Sequence, residues 1–203
     1  PKKVSPLYGR LSQKGAVHGA FQGYEKPLWF QTRNIRHESL SWSHNETHEA
    51  VREECRAVHE SAGVIDISGV AKFDVKGPDA STFLDRLSCN KLPARDGRMA
   101  ISLFHLPNGG IMSDISITRL ASDHYYLISA IGSEHKDLHW MQLNQSGYDV
   151  SIDNVTEKLA GFLLTGPTSR EILAHMTDED VSNATFPWLR ARKMKVDSTE
   201  ALV

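Results

Sequence analysis

The chain has 203 residues, of which 40% are hydrophobic and 24% are charged, a composition typical of a globular protein with a hydrophobic core. Its 23 basic and 25 acidic residues give a formal net charge of -2, which offers no electrostatic reason to expect nucleic acid or an anionic membrane as a partner. No apolar run approaches the about 20 residues of a membrane helix, and the basic N-terminus lacks the apolar stretch of a secretory signal.

The first 42 residues differ in character from the rest. Residues 8–37 carry glycine, aromatic and basic residues with neither the helical period nor the strand period. A solvated tether would not keep aromatic residues such as Tyr24 and Trp29. The sequence therefore predicts an ordered bridging segment over residues 1–42 and a folded domain over residues 43–203.

A helix is predicted after residue 43. Ser43 and Glu46 have the spacing of a capping box, and Gly63 supplies a C-terminal stop. An apolar stripe along this helix predicts that Cys55 is a small core residue. Two strand-like runs follow, at 64–68 and 70–77.

The second half of the chain alternates between strands and helices. Gly77-Pro78-Asp79 predicts a helix start, and the inner face of that helix consists of Ala80, Phe83, Leu84 and Leu87. Strands are predicted at about 99–105, 111–119, 124–130, 147–152, 158–166 and 190–203, with helices at about 133–145 and after Thr168. This order predicts an α+β fold with mixed or antiparallel sheets. The chain has no G-x-G-x-x-G motif of a dinucleotide-binding domain.

The segment 97–117 is the one that indicates chemistry. Its Pro107-Asn108-Gly109-Gly110 run predicts a tight turn between two strands. In the second strand, alternation assigns Ile111, Ser113, Ile115 and Ile117 to one face and Met112, Asp114 and Ser116 to the other. Asp114 then lies close to a glycine turn, and partial desolvation would let it act as a base. A hairpin with an ordinary surface carboxylate is the alternative that pattern alone favours.

Ten histidines raise the question of a metal site. His44 and His48, like His135 and His139, are four residues apart and each pair can share a helix face. Neither pair forms H-E-x-x-H, and no third ligand is evident nearby. We therefore predict no metal ion, and the two cysteines are too few for a disulfide framework.

The hairpin resembles that of the glycine-cleavage T-protein (aminomethyltransferase) family, in which N-x-x-G-G-[IV] leads into an acidic position. Three further stretches resemble the family in the expected order. They are Glu54–Val58 with Gly63–Ser68, Gly77–Ala80 with Phe83-Leu84, and Leu164–Pro167. The resemblance covers roughly residues 48–170 and implies the T-protein-like folate-binding fold.

The N-terminal stretch Gly19–Phe30 is similar to the "G-W-E-R-P-x-W-F" bridge of dimethylglycine and sarcosine dehydrogenases and oxidases, with Tyr24 at the Trp position. In those proteins the bridge joins a flavin-containing half to the folate-binding half. The resemblance therefore favours this branch of the family over the free-standing transferases. The low cysteine count favours a reducing compartment, and we expect a location in the cytoplasm, or in the mitochondrial matrix of a eukaryote.

The resemblance implies a division of chemical labour. A flavin, in a domain outside this chain, oxidises an N-methyl amine to an iminium, and the folate-binding module passes the one-carbon unit to tetrahydrofolate. Asp114 matches the family's functional carboxylate and would hold or remove a proton during that transfer. The adjoining residues Asn108, Gly109, Gly110, Ile111 and Met112 would contact the folate. Ser113 stands where T-proteins often carry a second acid.

The family's later G-[YW]-x-G-E-x-G-[FW]-E motif does not occur before Val203. The resemblance therefore implies a partial module, and we expect weak folate binding, no redox activity and self-association through the truncated edge. Two alternatives stay open at this point. One is a free-standing transferase acting on another methylated substrate, and the other is a non-catalytic folate-binding protein.

Overall fold

The computed structural model of the chain describes residues 3–203. These residues form two compact units. Unit 1 contains the described residues up to Gly69 together with Ala160–Ile172, and unit 2 contains Val70–Leu159 and Leu173–Val203. Among the helices of residues 3–203, none has the length and apolar character that a membrane crossing requires.

Unit 1 contains two small sheets and a long helix. Strands β1 (Lys3–Val4), β2 (Ala16–Phe21) and β3 (Tyr24–Phe30) form a sheet in the order β1-β3-β2, and helix α1 (Tyr8–Gln13) precedes β2. Helix α2 (Thr47–Glu60) leads into β4 (Gly63–Asp66), which pairs antiparallel with β10 (Phe162–Thr165) from late in the sequence. Tyr24, Trp29 and Ala50 are the large or apolar side chains that this unit buries most completely.

The N-terminal segment contains more regular structure than its sequence indicated. The turn between β2 and β3 has positive φ angles at Gln22 (51°) and Gly23 (85°), the geometry that a tight hairpin needs. The β2–β3 pairing shifts register between Val17 and His18, and a bulge of this kind breaks the alternation by which a strand is recognised. The hairpin was therefore hidden from a search for a two-residue period.

Unit 2 is built on a five-stranded antiparallel sheet. Its strands are β5 (Ala71–Lys76), β6 (Arg98–His105), β7 (Ile111–Ala121), β8 (His124–Ser129) and β9 (Ser151–Asn154), in the order β6-β7-β8-β5-β9. Helix α3 (Ala80–Leu87) connects β5 to β6, helix α4 (Glu134–Leu143) connects β8 to β9, and a 3-10 turn (Thr156–Lys158) follows β9. The predicted α+β fold with mixed or antiparallel sheets is thus confirmed, and the sheet of unit 1 is mixed because β1 pairs parallel with β3.

The core of unit 2 lies on one face of this sheet. The buried side chains come from alternate positions of the strands and from one face of α3, and they include Phe73, Val75, Phe83, Leu84, Phe104, Ile115, Ile117, Tyr125 and Leu127. The four inner-face residues predicted for α3 are all buried. A sheet that covers one face in this way leaves the side chains of the other face nearer to solvent.

Helix α2 departs from its prediction. It begins at Thr47 without a side-chain cap, because the Glu46 carboxylate instead accepts hydrogen bonds from the amide and hydroxyl of Ser39. Cys55 is exposed rather than buried, and Thr47 and Ala50 are the residues that the helix buries. Along its predicted apolar stripe Ala50 is buried, Val58 is half-buried, and Val51 and Cys55 are exposed.

The end of the chain departs as well. Helix α5 (Ser169–His175) is followed by two strands, β11 (Lys193–Val196) and β12 (Thr199–Leu202), where a single strand was predicted. They pair antiparallel through Asp197, whose φ of 53° reverses the chain. Asp tolerates this left-handed conformation better than most residues, so the reversal needs no glycine and was missed.

Candidate functional site

The turn between β6 and β7 is a closed three-residue loop. The Leu106 amide donates to the Gly110 carbonyl at 2.8 Å, and the Gly109 amide donates to the Leu106 carbonyl at 2.9 Å. Asn108 stabilises the turn through its Oδ1, which accepts from the Gly110 amide at 3.0 Å. Gly109 has a φ of +82°, and a Cβ added there would meet nothing within 4 Å. The tip of the hairpin is therefore an open backbone surface that a ligand can approach closely.

A bulge in β7 changes the orientation of the first residues after the turn. The β6–β7 register shifts between Phe104 and His105, so that Phe104 pairs with Ser113 and His105 with Ile111, and Met112 has no partner. Ile111 is 65% exposed, while Met112 packs against the buried core. The predicted alternation is thus wrong at these two residues, because the extra residue of a bulge rotates the strand.

Beyond the bulge the alternation is as predicted. Ser113, Ile115 and Ile117 are buried, while Asp114 is exposed and Ser116 is half-buried on the opposite face. Asp114 lies opposite Leu103 of β6. Within residues 3–203 its carboxylate makes no hydrogen bond and no ion pair. The predicted partial desolvation is not found, because the Asp114 side chain is exposed on this face of the sheet.

The strand segment that carries Asp114 projects beyond its neighbour. Pairing between β7 and β8 starts at Ile115 opposite Ser129, whereas pairing between β7 and β6 extends to Ile111. Residues 111–114 are therefore hydrogen-bonded to another strand on one side only. Such an overhang has an unpaired backbone edge, and its position must be fixed by other contacts.

The contacts that support this overhang were not predicted from the sequence. Asp137, in the first turn of α4, is fully buried, and its Oδ2 accepts hydrogen bonds from the hydroxyls of Ser113 at 2.9 Å and Ser129 at 2.5 Å. The adjacent Lys136 donates from Nζ to the Met112 carbonyl at 2.8 Å. We call these four side chains, Ser113, Ser129, Lys136 and Asp137, the Asp137 cluster.

The sequence does contain a signal for the Asp137 cluster. Glu134, Asp137 and Met141 are the buried residues of α4, and their spacing of three and four places them on one helical face. Acidic residues at the core positions of a helix are unusual. They indicate a buried polar network, but the sequence alone does not identify the strand hydroxyls that complete it.

The histidine pairs of the sequence lie elsewhere. The rings of His44 and His48 stack with their centroids 3.8 Å apart, and His135 and His139 are exposed on α4. In the part of the chain that the structure describes, no group of three or more His, Cys, Asp or Glu side chains is arranged to hold a metal ion.

Known proteins match nearly the whole chain. A family model described as the GCVT N-terminal domain matches residues 7–203. The mitochondrial dimethylglycine dehydrogenase of Homo sapiens is 32% identical over 203 residues, which cover 97% of this chain and 23% of that protein. An aminomethyltransferase of Caldanaerobacter subterraneus subsp. tengcongensis is 33% identical over 202 residues, which cover 99% of this chain and 49% of that protein. The chain thus spans about a quarter to a half of the length of these relatives.

Solved structures share the fold. The glycine cleavage system aminomethyltransferase T from Bartonella henselae superposes with a TM-score of 0.70 at 24% identity, covering 87% of this chain and 44% of that chain. A heterotetrameric sarcosine oxidase from Corynebacterium sp. U-96 superposes with a TM-score of 0.57 at 14% identity, covering 80% of each chain. The fold predicted from the sequence is therefore that of the aminomethyltransferase T-protein.

Proposed function

Because this chain belongs to the GCVT N-terminal domain family, we propose that it forms one side of a site at which a one-carbon unit passes to tetrahydrofolate. The observation that supports this proposal is the position of Asp114. Its exposed carboxylate has no partner within residues 3–203 and lies on the strand that follows the open Gly109 turn. A free carboxylate beside an accessible backbone suits the binding of an amine and the transfer of its proton.

The residues of the hairpin have distinct roles in this proposal. Tetrahydrofolate supplies the amine that accepts the one-carbon unit. The Asp114 carboxylate accepts a hydrogen bond or a proton from that amine, and its fixed position on a strand orients the ligand. The open backbone at Asn108, Gly109 and Gly110, together with the 65% exposed side chain of Ile111, gives a planar ligand a polar edge and an apolar surface to contact. Met112 contributes through its backbone, because its side chain packs against the core.

We propose a dimethylglycine- or sarcosine-type N-methyl amine as the source of the one-carbon unit. The support is the stretch Tyr24-Glu25-Lys26-Pro27, which forms the start of β3 and is similar to the bridge of dimethylglycine and sarcosine dehydrogenases. Dimethylglycine dehydrogenase and aminomethyltransferases match the chain about equally well over nearly its whole length, so the proposal of this amine rests on the similarity of this stretch. Oxidation of the amine is assigned to a flavin domain in further polypeptide, in keeping with the heterotetrameric assembly named for one structural relative. The location proposed is the cytoplasm, or the mitochondrial matrix of a eukaryote, in keeping with the mitochondrial location named for the human relative.

Calorimetric titration with tetrahydrofolate tests the proposal. The experiment compares the wild-type chain with Asp114→Asn, which removes the charge but keeps the shape of the side chain. Asp123→Asn is the matched control, because Asp123 is also an exposed acid and lies in the turn at the other end of β7. We expect saturable binding that weakens at least tenfold in Asp114→Asn and is unchanged in the control. Absence of binding by the wild type, or equal affinity in both variants, would overturn the proposal.

A further inference from the structure

We propose that Asp137 is a positioning residue that fixes Asp114 for ligand binding, an inference that rests on the function proposed above. Asp137 does not reach the exposed face of the sheet, since its carboxylate is fully buried beneath the opposite face. It acts through Ser113, the residue that directly precedes Asp114.

The Asp137 carboxylate is fully buried, and burial of a charged group costs free energy. A buried carboxylate is destabilising unless hydrogen bonds and a countercharge compensate it. Here Oδ2 accepts hydrogen bonds from two hydroxyl groups. Oδ1 accepts no hydrogen bond and lies 3.6 Å from the Lys136 ammonium. Asp137 also lies in the first turn of α4, where the helix dipole favours a negative charge. A group held in this way fixes the positions of its partners more strictly than apolar packing would.

The hydroxyls of Ser113 and Ser129 lie where the pairing between β7 and β8 ends. Ser129 is the last residue of β8, and it pairs with Ile115. Ser113 lies two residues further along β7, on the same buried face and already beyond the end of β8. Asp137 therefore joins the two strands at the first position where the backbone ladder no longer does so.

Asp137 and Lys136 bind the two residues that immediately precede Asp114. Asp137 binds the Ser113 side chain, and Lys136 binds the Met112 carbonyl at 2.8 Å. Because successive residues of a strand point to opposite faces, anchoring Ser113 on the buried face directs Asp114 to the exposed face. Loss of the anchor would leave residues 111–114 attached to β6 alone and would let Asp114 sample other directions.

Binding of tetrahydrofolate by three single variants and one double variant tests this inference. Asp137→Ala removes the anchor, and Asp137→Asn keeps an acceptor of the same shape. Thr156→Val is the matched control. Thr156 follows β9 at the far edge of the sheet, is 2% exposed, and accepts a hydrogen bond from the Lys72 amide at its Oγ1 (3.0 Å). The double variant combines Asp137→Ala with Asp114→Asn, and thermal unfolding of all variants is measured in parallel.

We expect Asp137→Ala to weaken binding about tenfold, Asp137→Asn to recover most of the affinity, and Thr156→Val to leave it unchanged while lowering the melting temperature. In the Asp114→Asn background Asp137→Ala should have no further effect, because the two residues act through one contact. Amide hydrogen exchange should accelerate at residues 112–114 in Asp137→Ala and not in the control.

Two outcomes overturn this inference while leaving the proposed function intact. One is wild-type affinity for tetrahydrofolate in a folded Asp137→Ala variant. The other is that Asp137→Ala causes the same loss of affinity in the wild-type background and in the Asp114→Asn background. If Asp137→Ala does not fold, Asp137→Asn takes its place. Accelerated amide exchange at residues 112–114 together with unchanged tetrahydrofolate affinity in that variant would also overturn the inference. A wild-type chain that does not bind tetrahydrofolate at all overturns instead the proposed function, and the ligand-binding role of Asp137 with it.

Discussion

His124 and Asp74 join two central strands of unit 2 on the face opposite the core. The Nε2 of His124 lies 2.8 Å from Oδ1 of Asp74, and Nζ of Lys76 lies 3.1 Å from Oδ2. Burial acts to raise the pKa of Asp74, but the hydrogen bonds and charges of His124 and Lys76 outweigh it, so the pKa lies below its ordinary value of 3.8. The contacts with His124 and Lys76 therefore favour the charged form of the Asp74 carboxylate.

The first prediction concerns stability in acid. A carboxyl whose pKa is lowered by folding stabilises the folded chain above the unfolded pKa, and this stability is lost as the pH falls through the folded pKa. We expect Asp74→Asn to lower the free energy of unfolding by about 1–2 kcal/mol at neutral pH and to have little effect well below pH 3.8. Urea denaturation over a pH series measures this. A pH-independent difference would contradict it, and Asp85→Asn on the exposed face of α3 is the control.

The second prediction concerns the neighbouring Tyr126, which pairs with Asp74 across β5 and β8. Burial, and secondly the charge of Asp74, raise the pKa of Tyr126 from 10.0 to about 12. Its stabilising contribution is therefore complete below the unfolded pKa and is lost as the pH rises from about 10 towards about 12. The phenolate absorbance of wild type minus Tyr126→Phe reports this titration. In Asp74→Asn the midpoint should fall but stay above 10.0, since burial is the larger cause.

The third prediction concerns the replacement of Ser113 by the acid that T-proteins often carry there. The Ser113 hydroxyl lies 2.9 Å from the Asp137 carboxylate, so Ser113→Asp would place two buried carboxylates in contact. We expect a loss of at least about 2 kcal/mol of unfolding free energy at neutral pH. The loss should shrink on acidification, because a shared proton removes the repulsion. Ser116→Asp, on the other face of β7, should be nearly neutral. Equal stabilities would show that Ser113 does not face Asp137.

The fourth prediction compares two glycines with positive φ. Gly77 has a φ of +135°, and an added Cβ would lie 2.2 Å from the Asp149 carbonyl oxygen, whereas Gly109 has a φ of +82° and open space around it. Gly77→Ala should therefore cost more than about 3 kcal/mol of stability, combining strain with a backbone clash. Gly109→Ala should cost about 1 kcal/mol from strain alone. Similar melting temperatures for the two variants would show that the backbone at Gly77 can move away.

The fifth prediction concerns self-association through the β4–β10 ribbon. Apolar side chains are exposed on both of its faces, with Val64 at 65%, Phe162 at 50% and Ile65 and Leu163 each at 46%. An exposed two-stranded ribbon of this kind favours contact with a further apolar surface. We expect the chain to sediment as oligomers at high concentration, and Leu163→Lys to shift it towards monomer. Leu143→Lys, at a 62% exposed position at the end of α4, should not. A wild type that remains monomeric would contradict the prediction.

The sequence predicted the elements whose side chains follow a simple period. Helix α3 and strands β6, β7 and β8 were predicted because their buried residues recur with the period of a helix or of a strand. The exceptions share a physical cause. A bulge shifts the register at Met112 and another shifts it at Val17 and His18, and a pattern of fixed period cannot represent an inserted residue.

The candidate site was predicted in part for a related reason. Asp114 and its turn are contiguous in sequence, so motif and spacing locate them together. Asp137 lies 24 residues from Ser113, and the contact between them exists only because α4 folds back beneath β7. A single sequence gives no measure of which distant residues meet, so the support of the site became visible in the structure.

The chain order of unit 1 has a kinetic consequence. Val70–Leu159 departs from unit 1 and returns to it at neighbouring points, where the Ile67 amide donates to the Gly161 carbonyl at 2.9 Å and the Gly161 amide donates to Ser68 Oγ at 3.2 Å. Pairing of β4 with β10 must therefore close a loop that contains most of another folding unit, which is entropically slow unless that segment has already collapsed. The five-stranded sheet should form first and act as the intramolecular template that brings the ends together. Pulse-labelled hydrogen exchange should accordingly show protection at β7 and β8 before protection at β4.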